Sequence, residues 1–453
     1  MNSAPAVVIS APSSGSGKTT VATGLIGALR LAGHRVAPFK VGPDFIDPGY
    51  HALAAGRPGR NLDTVLVGAD MIGPLYRHGT RDADIAVVEG VMGLFDGRIE
   101  DPFRLPATGS TGQVAALLGA PVVMVVDGRG QSQSIAAVLH GFSTLARDVR
   151  VAGVILNRVG SARHEQVLTA ACESVGVPVL GSLPRVEELT VPSRHLGLVT
   201  ASEHGDRARE AVAAMTELVA RHVEVSAVRA LASSAVAAGA WSPQEAVGEP
   251  VSGRPVVAVA AGPAFTFGYA ERDELLRAAG AEPVPFDPLT AALPDGSAAL
   301  VLPGGFPELY GEELAANVGL CAQIRDLAAR APVHAECGGL TYLMSDLDGH
   351  PMCGVLAGSA RFTERLTLGY RDAVAAADSV LYGTGQRVTG HEFHRTTVEF
   401  ADAVQSAWLM RGSDGEPARE GALRAGVHAS YLHTHPAAQP LAVRRFVERA
   451  GVH

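Results

Sequence analysis

Short apolar runs rich in β-branched residues recur through the first half of the chain, at 6–11, 35–42, 83–90, 120–127 and 151–159. Between them lie longer stretches of helical character, such as "KTTVATGLIGALRLAG" (18–33). Runs that are apolar on both faces and alternate with helices predict a buried parallel sheet. The expected fold is α/β, a doubly wound domain with ligands at the carboxyl ends of its strands. The pattern then changes. Residues 222–254 are rich in Ala, Ser, Pro and Gly and carry weak periodicity. Their later part reads as a linker. A second α/β pattern follows at 255–262, 282–288, 298–305 and 331–339, and from about 352 the chain turns β-rich. The expected division is a first domain over 1–225, a linker over 226–254 and a second domain over 255–453.

Composition narrows the possibilities. A chain of 453 residues, 47% hydrophobic and 18% charged, is long enough for two or three well-filled cores. Its net charge of −9 argues against nucleic acid as a partner. The four cysteines, at 172, 321, 337 and 353, show no CxxC spacing. That disfavours a zinc ribbon or a disulfide framework and fits a reducing, cytoplasmic setting. No uncharged apolar run approaches the ~18 residues of a membrane span. The first ten residues do not have the form of a signal peptide.

Two stretches carry chemistry. In "AVVISAPSSGSGKTT" an apolar strand runs through a Gly/Ser loop into Lys-Thr-Thr at a helix start. Such a loop offers backbone N–H groups and a helix N-terminus to phosphates. Ser14, Gly15, Ser16, Gly17, Lys18, Thr19 and Thr20 are the candidate ATP contacts, with Lys18 reaching the phosphates and Thr19 on Mg²⁺. The first glycine of the usual GxxxxGK[ST] pattern is replaced by Pro12, so this is a deviant phosphate loop. A magnesium nucleotide also needs carboxylates at the strand ends. Asp44 and Asp47 in "FKVGPDFIDPGYH" and Glu89 in "VVEGVMGLFDG" are the candidates, with Lys40 and Asp96 as auxiliaries. Asp127 in "VVDGRG" is a weaker one, since it can equally cap the following helix.

The second stretch, "APVHAECGG", reads as strand, tight turn and helix around Cys337. A turn of this kind exposes a nucleophile, and the following helix N-terminus is expected to lower its pKa. Gly305 in "LPGGFPE" and Gly338 are candidate oxyanion donors. "SYLHTHP" supplies His433 as a base, with His435 two residues on. His433 and His435, with His391, Glu392 and His394 of "GHEFH", could instead be metal ligands, although no third ligand falls at useful spacing.

Taken in order, "APSSGSGKTT", "PFKVGPDFIDPGYH", "VVEGVMGLFDG", "LNRVGS", "LPGGFPE", "ECGGL", "GHEFHRT" and "SYLHTH" closely resemble the cobyrinic acid a,c-diamide synthase family, in its hydrogenobyrinic branch. The resemblance spans nearly the whole chain. It implies an N-terminal synthetase domain like dethiobiotin synthetase and a C-terminal class I glutamine amidotransferase domain. The implied substrates are glutamine, ATP with Mg²⁺, and a corrinoid amidated on its a and c acetates. It also implies that Asn157 contacts the adenine base, and that neutral ammonia passes between the domains by a shielded path. His391, His394 and 361–371 are candidate corrinoid contacts. One departure stands out: the class has a glutamate two residues after its histidine, where this chain has His435. Glu336 is an unpromising substitute, because adjacent side chains on an extended strand point apart. The group that orients His433 is therefore unnamed.

Other readings fit less well. A partitioning-type P-loop switch has no use for an elbow cysteine with a histidine. CTP synthase would keep the missing glutamate. A cobyric acid synthase-like enzyme would fit "GPDFIDPGYH" and "VMGLFDG" less closely. Neither the ring's metal nor the oligomeric state is readable, a homodimer being one option.

Overall fold

The computed structural model describes residues 3–100, 102–185, 205–412 and 414–451, and the backbone of 193–194 and 197–198. It divides into two compact units, Met1–Trp241 and Ser242–His453.

The first unit is built on a seven-stranded sheet of β1 (Ala6–Ser10), β2 (Val36–Val41), β3 (Arg60–Leu62), β4 (Ile85–Glu89), β5 (Val122–Asp127), β6 (Val151–Val159) and β7 (Val179–Pro184). Their spatial order is β3-β2-β4-β1-β5-β6-β7, and every pairing is parallel. β1, β2 and β4 are buried along their whole length, as continuous apolar runs require. Helix α1 (Lys18–Leu31) follows β1, and α2 (Asp47–Ala55) follows β2. A two-residue ladder, β8 (Ser193–Arg194) with β9 (Gly197–Leu198), stands apart from this sheet.

The stretch expected to be a linker contains ordered structure. Residues Val225–Leu231 are helical. Ser233 bridges to Ala6, the Ala235 amide donates to Leu118 O at 2.9 Å, and the Arg77 side chain donates to Ala238 O at 2.6 Å. Trp241 is buried with its ring edge-on to His78. Residues Pro243–Val247 form a further short helix, and Arg444 donates to Val247 O at 2.8 Å. The compositional signal reported small side chains. Small side chains also let a segment pair closely through its backbone.

The second unit carries two sheets. The first contains β10 (Val256–Ala260), β11 (Glu282–Phe286), β12 (Ser297–Leu302) and β13 (Val333–Glu336). From the β-rich end it draws β20 (Ala422–Arg424) and β21 (Val427–Ser430). Its order is β11-β10-β12-β13-β21-β20, parallel except for the β20–β21 pair. The other sheet runs from β14 (Met344–Leu347) and β15 (His350–Pro351) into a long hairpin of β16 (Leu356–Ala375) and β17 (Arg387–Phe400). β18 (Trp408–Arg411) and β19 (Pro417–Glu420) extend it on one side, and β22 (His433–Thr434) pairs with β17. Leu300, Leu302, Val333, Ala335 and Leu340 are buried in the core between these layers. Cys321 and Cys353 lie in that core with their sulfurs 3.8 Å apart, and Cys172 is buried in the first unit. No helix among the described residues is long and apolar enough to cross a membrane.

The contact between α1 and the helix Asp206–His222 depends on small side chains. A Cβ on Gly24 would lie 2.4 Å from the carbonyl oxygen of Met215, a backbone atom that cannot turn aside. Gly24→Ala should therefore destabilise the protein by about 1–3 kcal/mol, despite the better helix propensity of alanine. The check is the denaturant midpoint of the variant, which should fall.

Candidate functional site

The carboxyl ends of β1, β4, β5 and β6 gather the phosphate loop and its neighbours. Gly17, just before α1, has φ 97°, and a Cβ there would lie 2.2 Å from Asn157 Nδ2. Only glycine meets both demands. Asn157, at β6, donates from Nδ2 to Ser16 O at 2.9 Å, so it braces the loop directly. The Ser16 hydroxyl donates to Ser13 O at 3.0 Å, while Ser14 and Gly15 stay exposed. Lys18 Nζ donates to Ser13 O at 3.2 Å and Met92 O at 2.6 Å. Burial, aided by the charge of Lys40, lowers the Lys18 pKa to about 8. Its ammonium is thus incompletely neutralised and suited to an incoming polyanion. Asp96 accepts from the Gly93 amide at 2.9 Å, and its charge acts on Lys18. Thr20 is half-buried on α1.

Beside this loop lies a buried charge cluster. Thr19 donates to Glu89 Oε1 at 2.7 Å and to Asp47 Oδ2 at 3.3 Å. Lys40 Nζ donates to the same two oxygens, Asp47 Oδ2 at 2.7 Å and Glu89 Oε1 at 2.9 Å, and to Gly90 O at 3.1 Å. Burial opposes the Lys40 charge, but Asp47, Glu89 and Asp44 outweigh it and hold the ammonium above its ordinary range. Burial and the Asp44 charge push Asp47 up. For Glu89 burial acts upward too, but Lys40, His51 and Thr19 prevail and hold it below the carboxylate range. Asp44 turns its Oδ1 to the amides of Ile46 and Asp47, at 2.7 and 3.0 Å, and so fastens the start of α2. Asp127 is paired with Arg158 at 2.6 Å and Arg129 at 2.9 Å.

Two residues here escaped sequence reasoning. His51 is fully buried with Nε2 2.6 Å from Glu89 Oε2. Its signal was the i,i+4 spacing from Asp47, which puts both on one face of α2. Arg158, with φ 57°, reaches from Asp127 to Gly15 O at 3.0 Å. Nothing local to Arg158 announces that span.

Thr19, Asp47 and Glu89 fit a magnesium ion that keeps most of its ligands as water and phosphate oxygen. The fit rests on Lys40, whose cation already sits among those oxygens.

In the second unit Cys337 leaves β13 with φ 49° and ψ −106° and opens the helix Gly338–Leu343. A non-glycine residue with positive φ at a strand–helix junction marks a strained turn. The Cys337 amide donates to Ser430 O at 2.7 Å, tying the turn to β21. Its sulfur lies 3.7 Å from Phe393 O of β17, and the backbone amides of Gly338 and Gly305 favour its thiolate form. These are the two glycines expected to bind an oxyanion. The expected fall in thiol pKa is not found. Burial, with the charges of Glu308 and Glu336, pushes the Cys337 thiol well up, and the two amides only partly oppose it. A six-residue helix cannot offset that loss of solvation. The resting nucleophile is a thiol that needs a base.

His433 of β22 is fully buried. A Cβ on Gly304 would lie 2.5 Å from its Cε1 and 3.2 Å from Nε2, so the ring edge covers the loop that ends in Gly305. On its other side Nδ1 is 3.6 Å from Glu336 Oε2. Glu336 also lies 3.4 Å from His334 Nε2 and accepts from the Thr434 amide at 3.3 Å. The strand rule failed here because Cys337 is not extended, so its side chain and that of Glu336 need not diverge. Burial would raise the Glu336 carboxyl, but His334 and His433 outweigh it and hold it below the usual range.

Of the other candidate histidines, His391 is the cross-strand partner of His433, while His435 and His394 make separate contacts. His435 accepts from the Ala437 amide at 3.2 Å and packs with its ring tilted against Tyr269. His394 stacks on Tyr431 and contacts Thr396 O at 2.8 Å. Burial, then the charges of His433 and Arg371, lowers the His391 pKa to about 3. Glu392 pairs with Arg371 at 2.6 Å. No group of three or more His, Cys, Asp or Glu side chains able to hold a metal ion occurs among the described residues, so the reading of these histidines as a metal site has no support here, and the cluster beside the phosphate loop could offer a metal only two carboxylates and a hydroxyl.

Comparison with known proteins agrees with this division. Residues 7–199 match the CobQ/CobB/MinD/ParA nucleotide binding domain, and residues 256–440 match the CobB/CobQ-like glutamine amidotransferase domain. A hydrogenobyrinate a,c-diamide synthase of Mycobacterium bovis is 67% identical, over 98% of both chains. One from Streptomyces coelicolor is 54% identical, over 98% of this chain and 97% of its own. A cobyrinate a,c-diamide synthase of Gloeobacter violaceus is 42% identical, over 98% and 96%.

Removing Lys40 would leave two buried carboxylates facing each other. Lys40→Met should cost about 3–5 kcal/mol in magnesium-free buffer, with part restored by added Mg²⁺. Thermal melting with and without the ion checks this. The pH dependence has a defined sign. Glu89 is held below its unfolded value of about 4.3, so its contribution is complete above that pH and is lost as pH falls through the lower folded value. Lys40 is held above its unfolded value of about 10.4, so its contribution is lost only at higher pH still. Asp47, held above its unfolded value, acts with the opposite sign, so the Glu89 part is read by comparing unfolding titrations of the wild type and Glu89→Gln: the difference should be intact across neutral pH and erode in acid.

Proposed function

The chain belongs to the a,c-diamide synthase family, and we propose that it amidates the a and c acetate carboxylates of hydrogenobyrinic acid, using ATP and glutamine. The observation that carries this reading is the pairing, in one chain, of a braced phosphate loop with a strained strand-to-helix turn at Cys337, whose preceding residue, Glu336, lies 3.6 Å from the buried His433. The metal-free ring is preferred over the cobalt-containing one on identity. Hydrogenobyrinate relatives stand at 67% and 54%, above a cobyrinate relative at 42%, although other hydrogenobyrinate relatives stand at 40% and 41%.

A carboxylate resists attack by ammonia because its charge is delocalised and oxide is a poor leaving group. Transfer of the γ-phosphoryl group of ATP to a carboxylate oxygen gives an acyl phosphate and ADP. Ammonia then attacks the carbonyl carbon and phosphate departs. Lys18 and the loop amides offset charge on the phosphates. Thr19, Asp47 and Glu89 would hold Mg²⁺, which supplies further charge neutralisation when bound.

The ammonia comes from glutamine. Cys337 Sγ bonds to the side-chain carbonyl carbon, and His433 takes the thiol proton and delivers it to the leaving nitrogen. The amides of Gly305 and Gly338 stabilise the oxyanion. Water then splits the thioester and frees glutamate. Ammonia must reach the acyl phosphate unprotonated, since ammonium has no lone pair.

Incubation of the full chain with each ring substrate, ATP, Mg²⁺ and glutamine should give product masses for one and then two amide gains. Gain by neither substrate would overturn the reading. Cys337→Ala should abolish synthesis from glutamine and spare synthesis from ammonium salts. Lys18→Ala should slow both by about 10²–10³-fold.

A further inference from the structure

We propose that Glu336, the residue immediately before the nucleophile, is the positioning acid of His433 and completes the hydrolytic triad from an unexpected place in the chain. The inference rests on the reading of Cys337 and His433 given above and goes beyond it.

A buried imidazole that shuttles a proton needs an acceptor at its far nitrogen, to fix its tautomer and to balance the imidazolium that forms. The position two residues after His433 cannot serve. His435 instead caps the turn Pro436–Ala438 and packs with its ring tilted against Tyr269. Glu336 is the carboxylate found at His433 Nδ1, at 3.6 Å. That is ion-pair range and longer than a hydrogen bond. Catalytic contacts commonly tighten once substrate is bound.

Three features suit Glu336 to the task. Its charge is maintained, because His334 and His433 together outweigh its burial. Its second oxygen is anchored by the Thr434 amide at 3.3 Å and by His334 at 3.4 Å. Thr434 is the neighbour of His433, so the anchor and the base move as one piece of backbone. Lastly, the Cys337 turn breaks strand geometry, so the strand rule does not force the Cys337 and Glu336 side chains apart.

The direct effect of Glu336 on the cysteine has the opposite sign. Its negative charge raises the thiol pKa. A variant without that charge would therefore make the thiol more acidic if Glu336 acted on Cys337 alone. If it acts through His433, the same variant slows glutamine hydrolysis. The two modes are separable.

The experiment follows glutamate release by the full chain with ring substrate, ATP and Mg²⁺. Glu336→Gln should lower kcat by about 10²-fold or more while leaving KM for glutamine nearly unchanged. In a His433→Ala background the same change should cost almost nothing further, because the pair acts as a unit. Thermal melting establishes folding. Should Glu336→Gln not fold, Glu336→Asp keeps the charge but withdraws it by one methylene, and should still lower kcat with KM unchanged. A loss of less than about threefold, with Cys337→Ala inactive, would overturn the role of Glu336 alone. An equal loss with and without His433 would overturn it too. Glutamate release by Cys337→Ala would instead overturn the underlying reading.

Discussion

A strand of a parallel sheet must pass its chain on at its carboxyl end, and in both units the turn made there is the working part. After β1 the chain turns through Gly17 into α1 and presents amides and Lys18 to a polyanion. After β13 it turns through Cys337 into a short helix and presents a sulfur. Both turns use positive φ, and both are held by atoms from neighbouring strand ends: Asn157 at the loop, and the Ser430 carbonyl at the cysteine. Adjacent carboxyl ends supply the partners because parallel strands finish on the same side.

Each site also has to manage buried charge. In the first unit two carboxylates and one ammonium share oxygens, and His51 and Thr19 take the remaining bonds. The cluster is satisfied without a metal yet shaped around a cation. In the second unit burial pushes the Cys337 thiol up and leaves it protonated. The nucleophile is thereby made dependent on His433. The buried acid beside that histidine keeps its charge through two imidazole neighbours.

The legible parts were those whose chemistry is local. "GSGKTT" and "ECGG" announce their turns because the residues that shape each turn are contiguous. Lys40, Asp47 and Glu89 were readable as strand-end charges, and the sheet order brings them together. Gly305 and Gly338 were readable as candidate oxyanion donors from their turns, and a Cβ on Gly338 would lie 3.1 Å from the Gly305 amide nitrogen. The less legible parts depended on long-range contact. Arg158 links Gly15 with Asp127 across the strand ends. The Ala- and Ser-rich stretch before Trp241 packs through backbone pairing that composition does not record.

The sequence by itself determined the fold class and the two turns, and singled out Cys337 as the candidate nucleophile, because strand periodicity and turn chemistry are properties of neighbouring residues. Tertiary structure alone decided what stands beside His433. The acid is 97 positions away along the chain, on a different strand. The extended-strand rule argued against it, and only the left-handed turn at Cys337 removes that objection. Side-chain direction at a strained turn is set by the contacts that hold the turn, and those contacts come from elsewhere in the fold.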